Sequence, residues 1–125
     1  MKRKIETSDA PSAIGPYSQA IEINGMLFIS GQIPVNPANS QIVDGGIRKQ
    51  TLQVMHNIGA ILKSSGYDFH HIAKCTCLLK NMEDFQVMNE VYGSFFPENP
   101  PARAAFEVAR LPRDVLIEIE AIAIK

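Results

Sequence analysis

The chain has 125 residues, 46% of them hydrophobic and 20% charged, which suits one domain over residues 1–125 and excludes a disordered or fibrous chain. Twelve basic and thirteen acidic residues leave a net charge of -1, so no overall field favours nucleic acid or anionic membranes. The basic start, Lys2 to Lys4, is followed by polar and acidic residues instead of an apolar run, and no stretch approaches the roughly 20 apolar residues of a membrane span. We therefore expect a cytoplasmic protein that does not bind membranes.

The first third of the chain predicts a loop followed by a β-hairpin. Prolines and glycines between residues 10 and 16 break any regular element. Two apolar-rich runs, residues 18–23 and 26–31, flank the dipeptide Asn24-Gly25, which tolerates the positive φ angles of a two-residue turn. A second polar, proline-rich loop follows, and Asp44 after it offers a helix cap.

Two stretches have the apolar spacing of amphipathic helices. From Ile47 onward, apolar residues recur at three- and four-residue steps until Gly66 and the serines before it stop the pattern. The second stripe begins at Phe85, with Asn81 before it as a cap, and Pro97 ends it. Each helix should bury its apolar face against a sheet.

The remaining apolar runs should complete that sheet. Residues 71–79 alternate as a strand. The last quarter holds two more runs, about 102–109 and 114–124, which we expect to pair as an antiparallel hairpin across the turn at 110–113. The predicted order is β-β-α-β-α-β-β, an α+β fold in which two helices pack on one face of a sheet.

The cysteines and histidines do not indicate a metal or cofactor site. Cys75 and Cys77 lie two residues apart in a predicted strand, where they share a face without room for a normal disulfide. Free thiols suit a reducing compartment. His56, His70 and His71 have no partners at zinc-like spacing. The chain also has no nucleophile elbow, phosphate loop or dinucleotide glycine pattern, so water is the natural nucleophile of any hydrolysis here.

The last two predicted strands carry charges among apolar residues. Glu118 and Glu120 share one strand face, and a carboxylate on such a face either has a nearby cation or a raised pKa, both of which suit general acid-base chemistry. The alternative is that both carboxylates face solvent near a sheet edge. Arg103, flanked by alanines, lies beside one of them if the turn has an even number of residues. That pair is either a carboxylate clamp beside a proton-transfer group or a cross-strand salt bridge.

Four further positions are candidates for a ligand site. Asn89 falls on the predicted buried stripe of the second helix, where its amide needs a partner, either a substrate or a loop carbonyl. Tyr17 follows a Gly-Pro pair in a constrained loop, and its phenol either lines a pocket or packs. Ser30 and Gly31 end a predicted strand, where the missing Cβ of Gly31 allows close approach of a ligand or accompanies a simple bulge.

Five segments resemble, in order and register, the signature blocks of one protein family. They are IGPYSQA (residues 14–20), SGQIP (30–34), PARAA (101–105), EVARLP (107–112) and IEIEA (117–121). On these blocks the chain resembles the RidA/YjgF family, also described as endoribonuclease L-PSP or translation inhibitor, over about residues 5–124. The resemblance implies the family's chorismate-mutase-like fold and a homotrimer with clefts between subunits.

The resemblance also implies an activity and roles for the candidate residues. Members hydrolyse 2-imino and 2-enamino acids, such as 2-iminobutanoate and 2-aminoacrylate, to 2-keto acids and ammonia without a cofactor. Arg103 would hold the substrate carboxylate, and Glu118 would position water or move protons at the imine. The other cleft positions are Tyr17, Ser30, Gly31, Asn89 and Ala105. Ala105 replaces a cysteine that many bacterial members carry, which excludes thiol-based regulation there and leaves its backbone to contribute.

Two other functions are open on the sequence alone. Some family members are described as endoribonucleases, but three tyrosines, six phenylalanines, no tryptophan and a near-neutral charge differ from the basic, aromatic surface typical of RNA binding. The third function is a non-enzymatic module that binds small carboxylated ligands in the same cleft. Only turnover separates that module from the deaminase that we expect.

Overall fold

In a computed structural model that describes residues 1–125, the chain forms a six-stranded sheet, a two-stranded ribbon and two α-helices. In chain order the elements are β1 (Arg3–Ile5), β2 (Ala20–Ile23), β3 (Met26–Gln32), β4 (Val35–Asn36), β5 (Gln41–Ile42), α1 (Gly46–Ser64), β6 (Ile72–Leu79), α2 (Phe85–Gly93), β7 (Ala102–Glu107) and β8 (Ile117–Ile124). The sheet order is β1-β2-β3-β8-β6-β7, and every pair is antiparallel except β6 with β7. This mixed arrangement confirms the predicted α+β class.

The local elements follow from turn chemistry and apolar spacing. Asn24 and Gly25 have φ angles of 50° and 75° and close the β2–β3 hairpin, as predicted. Helix α1 ends at Ser64, just before Gly66, whose φ is 82°. The stop signal at the end of this helix is therefore also confirmed.

The start of α1 differs from the prediction. Asp44 does not cap the helix, because the N-cap is Gly45 and no side chain caps the first turn. Gly45 and Gly46 have left-handed φ angles of 109° and 72°, which residues with a Cβ adopt at a cost. The turn that these two glycines make, and not a side-chain cap, sets where α1 begins.

The second helix is entered through a short 3-10 turn. Asn81 accepts a hydrogen bond from the Glu83 N–H at 3.0 Å and caps the turn Met82–Asp84, which continues into α2. The α-helical part ends at Gly93, before Pro97. Asn81 is thus the predicted cap, although of the turn that precedes α2, and Pro97 is not the residue that stops the helix.

The predicted hairpin between the last two strands is wrong. β7 pairs in parallel with β6, which places Arg103 beside Cys75, and β8 inserts between β3 and β6. The helix between β6 and β7 is the physical reason, because a helical crossover lets two strands of one sheet run parallel. β8 gains two antiparallel neighbours in the middle of the sheet, where Ile117 and Ile119 are fully buried.

The sequence does not predict β1, β4 and β5. β1 pairs with β2 at the sheet edge, and β4 pairs with β5 in the separate ribbon. Strands of two or three residues are too short to show an alternation of apolar and polar residues.

One hydrophobic core lies between the helices and the face of the sheet that they cover. Its buried sheet residues include Leu27, Cys75, Cys77, Leu79, Ile117, Ile119 and Ala123. Both cysteines are free, as predicted. The opposite side of the sheet, here called the open face, carries no helix and includes Phe28, Phe106 and Ile124, which are 39%, 48% and 47% exposed. Neither helix combines the length and the hydropathy that a membrane span requires.

Candidate active site

Arg103 lies in the edge strand β7 on the helix-covered face of the sheet. Its Cζ is 4.9 Å from the centroid of the Tyr92 ring and 5.3 Å from that of the Phe85 ring, and its Nη1 donates to Asn89 Oδ1 at 2.6 Å. All three partners belong to α2, and none is a carboxylate. Arg103 forms no salt bridge, so its other N–H groups are available to a carboxylate ligand.

Ala105 lies two residues further along the same side of β7. It pairs with Cys77 and packs against the core, so its methyl group has a structural role. Because β7 is the outermost strand, the outer row of its backbone N–H and C=O groups has no strand partner. The contribution that Ala105 can make to a ligand site is through this backbone edge.

Beneath Arg103 lie two neutral buried groups. Burial raises the pKa of the Cys75 thiol to about 11, against smaller lowering effects of Tyr92 and Arg103. The Tyr92 hydroxyl lies close to this thiol but has no partner in hydrogen-bond geometry, and burial raises its pKa. At neutral pH the guanidinium therefore lies over two uncharged groups.

Glu118 lies on the open face of β8, directly against β3. A Cβ on Gly31 would collide with the Glu118 carboxylate, so this close approach requires glycine. The Glu118 side chain is half-buried and forms no salt bridge. Burial raises its pKa, and the Glu120 carboxylate adds to the shift. A carboxyl group that keeps its proton to higher pH than usual is suited to proton transfer.

Ser30 and Tyr17 lie near Gly31, next to the loop that precedes β2. The Ser30 hydroxyl donates to the Ser18 carbonyl at 2.6 Å, and the Ser30 N–H donates to the Gln19 carbonyl at 3.0 Å. Tyr17 is 52% exposed and lines a cavity of about 540 Å³ together with Gly31. The Ser30 hydroxyl donates within the fold and can only accept from a ligand, whereas the Tyr17 phenol is free for either role.

Three buried amide side chains hold backbone segments near the candidate site, two of them in the walls of this cavity, and the sequence interpretation missed them. Gln19 accepts from a backbone N–H and donates to three carbonyls of the loop at residues 7–11, at 2.7–3.3 Å. Asn57 donates to two carbonyls of residues 33–35 at 3.3 and 3.0 Å. Gln50 accepts from the backbone N–H just before β8 at 2.8 Å. The available signal was that Gln50 and Asn57 fall at helical spacing on the apolar stripe of α1.

The structure brings the predicted residues together in two groups. The arginine half consists of Arg103, Asn89 and Ala105. The carboxylate half consists of Glu118, Gly31, Ser30 and Tyr17. β6 separates β7 from β8, and Arg103 and Glu118 project from opposite faces of the sheet. The prediction that a hairpin places Arg103 beside Glu118 or Glu120 is therefore wrong within one chain.

Comparison with known proteins identifies the family. The family model described as Endoribonuclease L-PSP matches residues 7–125. A RutC family protein of Pyrococcus horikoshii is 57% identical over 125 residues, which are 100% of this chain and 99% of the relative. The 2-iminobutanoate/2-iminopropanoate deaminase of Homo sapiens is 47% identical over 125 residues, 100% of this chain and 91% of the human protein. The crystal structure of E. coli TdcF with bound serine has a TM-score of 0.94 and 41% identity, and covers 98% of this chain and 98% of TdcF. The chain belongs to the RidA/YjgF family.

Proposed function

We propose that this protein hydrolyses reactive 2-imino and 2-enamino acids, among them 2-iminobutanoate and 2-aminoacrylate, to 2-keto acids and ammonia. One observation carries the proposal: the candidate residues supply both an arginine without a carboxylate partner and a half-buried carboxyl group with a raised pKa. A 2-imino acid uses both groups. Its carboxylate fits a guanidinium, and its C=N carbon and nitrogen exchange protons during hydrolysis.

Two relatives support this substrate class. The human relative is named as a deaminase of such imines. TdcF binds serine, an amino acid whose carboxylate and nitrogen are attached to the same carbon, as in a 2-imino acid. The RutC family relative, which is more similar to this chain, has a name that specifies no substrate, so the choice of imine is part of the proposal.

We infer further that the two halves meet between the subunits of a homotrimer. Within one chain they project from opposite faces of the sheet. The open face also exposes the apolar side chains Phe28, Phe106 and Ile124, a feature typical of surfaces that another protein covers. In a closed ring, one surface of each copy contacts a different surface of the next. Each cleft would then combine the arginine half of one subunit with the carboxylate half of its neighbour.

In such a cleft the reaction proceeds by water addition and proton transfer. Arg103 binds the substrate carboxylate through two parallel N–H···O bonds and fixes the position of the C=N group. Ionised Glu118 accepts a proton from water as the water oxygen bonds to the imine carbon, and passes this proton to the nitrogen to give a carbinolamine. It then moves the hydroxyl proton to the nitrogen, the C–N bond breaks, and ammonia leaves as the keto group forms. 2-Aminoacrylate enters the same route after tautomerising to 2-iminopropanoate, as its terminal carbon gains a proton and its nitrogen loses one.

Turnover of imines generated in situ tests the proposal. Threonine or serine dehydratase supplies 2-iminobutanoate or 2-aminoacrylate, and semicarbazide traps the imine that is not hydrolysed. We expect faster release of keto acid and less trapped product when the protein is present. Both effects should be lost in Arg103→Ala, with the circular dichroism spectrum unchanged. Absence of any effect of the wild-type protein on either imine would contradict the deaminase and favour a ligand-binding or RNA-directed role.

Mixed trimers test whether the two halves come from different subunits. Arg103→Ala and Glu118→Gln should each be inactive alone. When the two variants are unfolded and refolded together, random assembly leaves both residues intact in about one quarter of the clefts, so about a quarter of the wild-type activity should return. Each variant refolded alone is the control. If one chain supplied both groups to a cleft, no mixture would regain activity.

A further inference from the structure

Two of the five arginines form no salt bridge. Arg3, Arg48 and Arg110 each contact a carboxylate at 2.7–2.8 Å, whereas Arg103 and Arg113 have no such partner. Arg103 has a role in the proposed site. Arg113 is thus an unpaired guanidinium that the proposed reaction does not use.

Arg113 lines the same cavity of about 540 Å³ as Tyr17 and Gly31. It is the only charged side chain in the lining, which contains no carboxylate. The Glu118 carboxylate lies directly against Gly31, so the cavity adjoins the carboxylate half. The lining also includes the hydroxyl groups of Ser8, Ser12 and Ser40. A cavity with one positive charge, no acid and several hydroxyl groups favours an anionic ligand.

The backbone around Arg113 is held in a conformation that residues with a Cβ seldom adopt. Arg113 has φ 55° and ψ 21°, and Asp114 has φ 56°; such conformations persist where the surroundings enforce them. Arg110 donates to the Asp114 carboxylate at 2.8 and 3.1 Å. The Arg113 Nη1 donates one long hydrogen bond, 3.4 Å, to the Ser40 carbonyl. The guanidinium is therefore placed at the cavity wall with most of its N–H groups unused.

We propose that Arg113 binds an anionic group on the substrate side chain, so that the protein prefers 2-imino dicarboxylic acids to imines with short neutral side chains. The inference rests on the proposed deaminase site, in which Arg103 holds the carboxylate next to the imine carbon and Arg113 holds the second one. The cavity volume lies within the roughly 300–1,000 Å³ typical of small-molecule sites. The side chains of 2-aminoacrylate and 2-iminobutanoate would fill little of it.

Competition with semicarbazide measures the preference directly. An L-aspartate oxidase and an L-glutamate oxidase, each with catalase, generate 2-iminosuccinate and 2-iminoglutarate, and threonine dehydratase generates 2-iminobutanoate. We expect Arg113→Gln to lower kcat/KM about tenfold for the dicarboxylic imines, the usual effect of losing a charge-assisted hydrogen bond. Turnover of 2-iminobutanoate should not change. Arg48→Gln, which removes an arginine paired with Glu90 on the helix surface, should change neither.

Binding of the keto-acid products separates this inference from the proposed function. Calorimetric titration should show that 2-oxoglutarate binds the wild-type protein more tightly than 2-oxobutanoate does, and that Arg113→Gln abolishes the difference. If 2-iminobutanoate is hydrolysed but Arg113→Gln behaves like wild type in both assays, the deaminase stands and the role of Arg113 is overturned. If no imine is hydrolysed but the Arg113-dependent preference for 2-oxoglutarate is seen, the ligand class stands and the deaminase fails. If wild type neither hydrolyses imines nor distinguishes the two keto acids, both proposals fail.

Discussion

The two faces of the central sheet differ in how far a single chain satisfies their side chains. On the helix-covered face, Leu79 and Ile117 have no exposed surface, and the buried thiols and phenol are neutral. On the open face, Phe28 and Phe106 are 39% and 48% exposed, and the carboxyl group of Glu118 is half-buried with a raised pKa. A single chain buries the apolar side chains of the helix-covered face but leaves those of the open face partly exposed to solvent.

The two faces of the sheet therefore have different roles. A closely packed core needs no surface beyond its own chain, so the helix-covered face stabilises the fold. Apolar side chains and an unpaired carboxyl group gain contacts only when a second surface covers them, so the open face is suited to assembly. The proposed site uses both, since Arg103 lies on the covered side and Glu118 on the open one.

The largest effect should come from a charge placed on the open face. Phe106→Asp should leave the fold intact, because this side chain is 48% exposed, but should prevent assembly, because a buried unpaired carboxylate is costly. Activity should fall by at least about 100-fold once the two halves of the site no longer meet. Sedimentation velocity and the semicarbazide assay measure the two effects. Leu52→Asp, on the outer surface of α1, is the matched control and should keep wild-type assembly and activity. An active, assembled Phe106→Asp would contradict the role of the open face.

A truncation on the covered face should act on stability instead. Ile119 has no exposed surface, so Ile119→Ala should lower the free energy of unfolding by about 2–5 kcal/mol. Denaturant unfolding at fixed protein concentration measures the loss. Leu52→Ala removes similar atoms from a side chain that is 36% exposed and should change stability by no more than about 0.5 kcal/mol. Equal losses in the two variants would mean that the packing described here is not the source of stability.

The arginine half can be perturbed without touching a charge. Tyr92→Leu removes the ring that lies 4.9 Å from the Arg103 guanidinium, and a cation–π contact of this kind corresponds to about a 2- to 30-fold rise in KM. Tyr92→Phe keeps the ring and removes a buried hydroxyl without a hydrogen-bond partner. It should therefore retain the wild-type KM and have equal or higher stability. If Tyr92→Phe raised KM as much as Tyr92→Leu does, the hydroxyl and not the ring would be responsible.

Much of the local structure was predictable because it depends on residues close in the sequence. The Asn24-Gly25 turn defines its hairpin, and the apolar spacing after Ile47 defines α1. The pairing of β7 was not predictable in this way, because its alternation of residues would be the same in a hairpin with β8 and in a crossover beside β6. The start of α1 was not predictable for a similar reason. Asp44 has the side chain of a helix cap, but the turn at Gly45-Gly46 places the N-cap one residue later.

The candidate site residues were identifiable because their types are unusual in their surroundings. An arginine between alanines and two glutamates in an apolar strand drew attention to Arg103, Glu118 and Glu120, and the family blocks contain all three. Their arrangement could not be predicted, because it depends on strand order and places the two halves of the site on opposite faces. The position of Asn57 on the apolar stripe of α1 indicates a buried amide, but not which loop it holds.

The smallest effect that we predict is a pH-dependent gain in stability for Glu118→Gln. Burial raises the pKa of Glu118 above its ordinary value of 4.5, so ionisation is less favourable in the folded chain than in the unfolded one. Below pH 4.5, Glu118 is neutral in the folded and the unfolded chain, and its contribution to the free energy of unfolding is fully present. This contribution is lost as the pH rises through the higher pKa of the folded chain, because the carboxyl group must then ionise where it is half-buried. Glutamine cannot ionise. The Tm of the variant should therefore match that of wild type at low pH and exceed it at pH values above the folded pKa.

The same gain, measured once in the assembled protein and once in a variant that does not assemble, tests whether assembly brings Arg103 to Glu118. In Phe106→Asp, which keeps the chains apart, burial and Glu120 act on Glu118 together with the introduced carboxylate, which lies across β6 from it. All three disfavour ionisation and no guanidinium opposes them, so the gain should be largest. In the assembled protein the guanidinium of Arg103 would approach Glu118 from a neighbouring subunit and favour its ionised form, so the gain should shrink. Glu98→Gln, which alters an exposed carboxylate that belongs to neither half, should show no such dependence on background. A gain of the same size in both backgrounds would mean that assembly does not bring Arg103 to Glu118, even if the protein is a trimer.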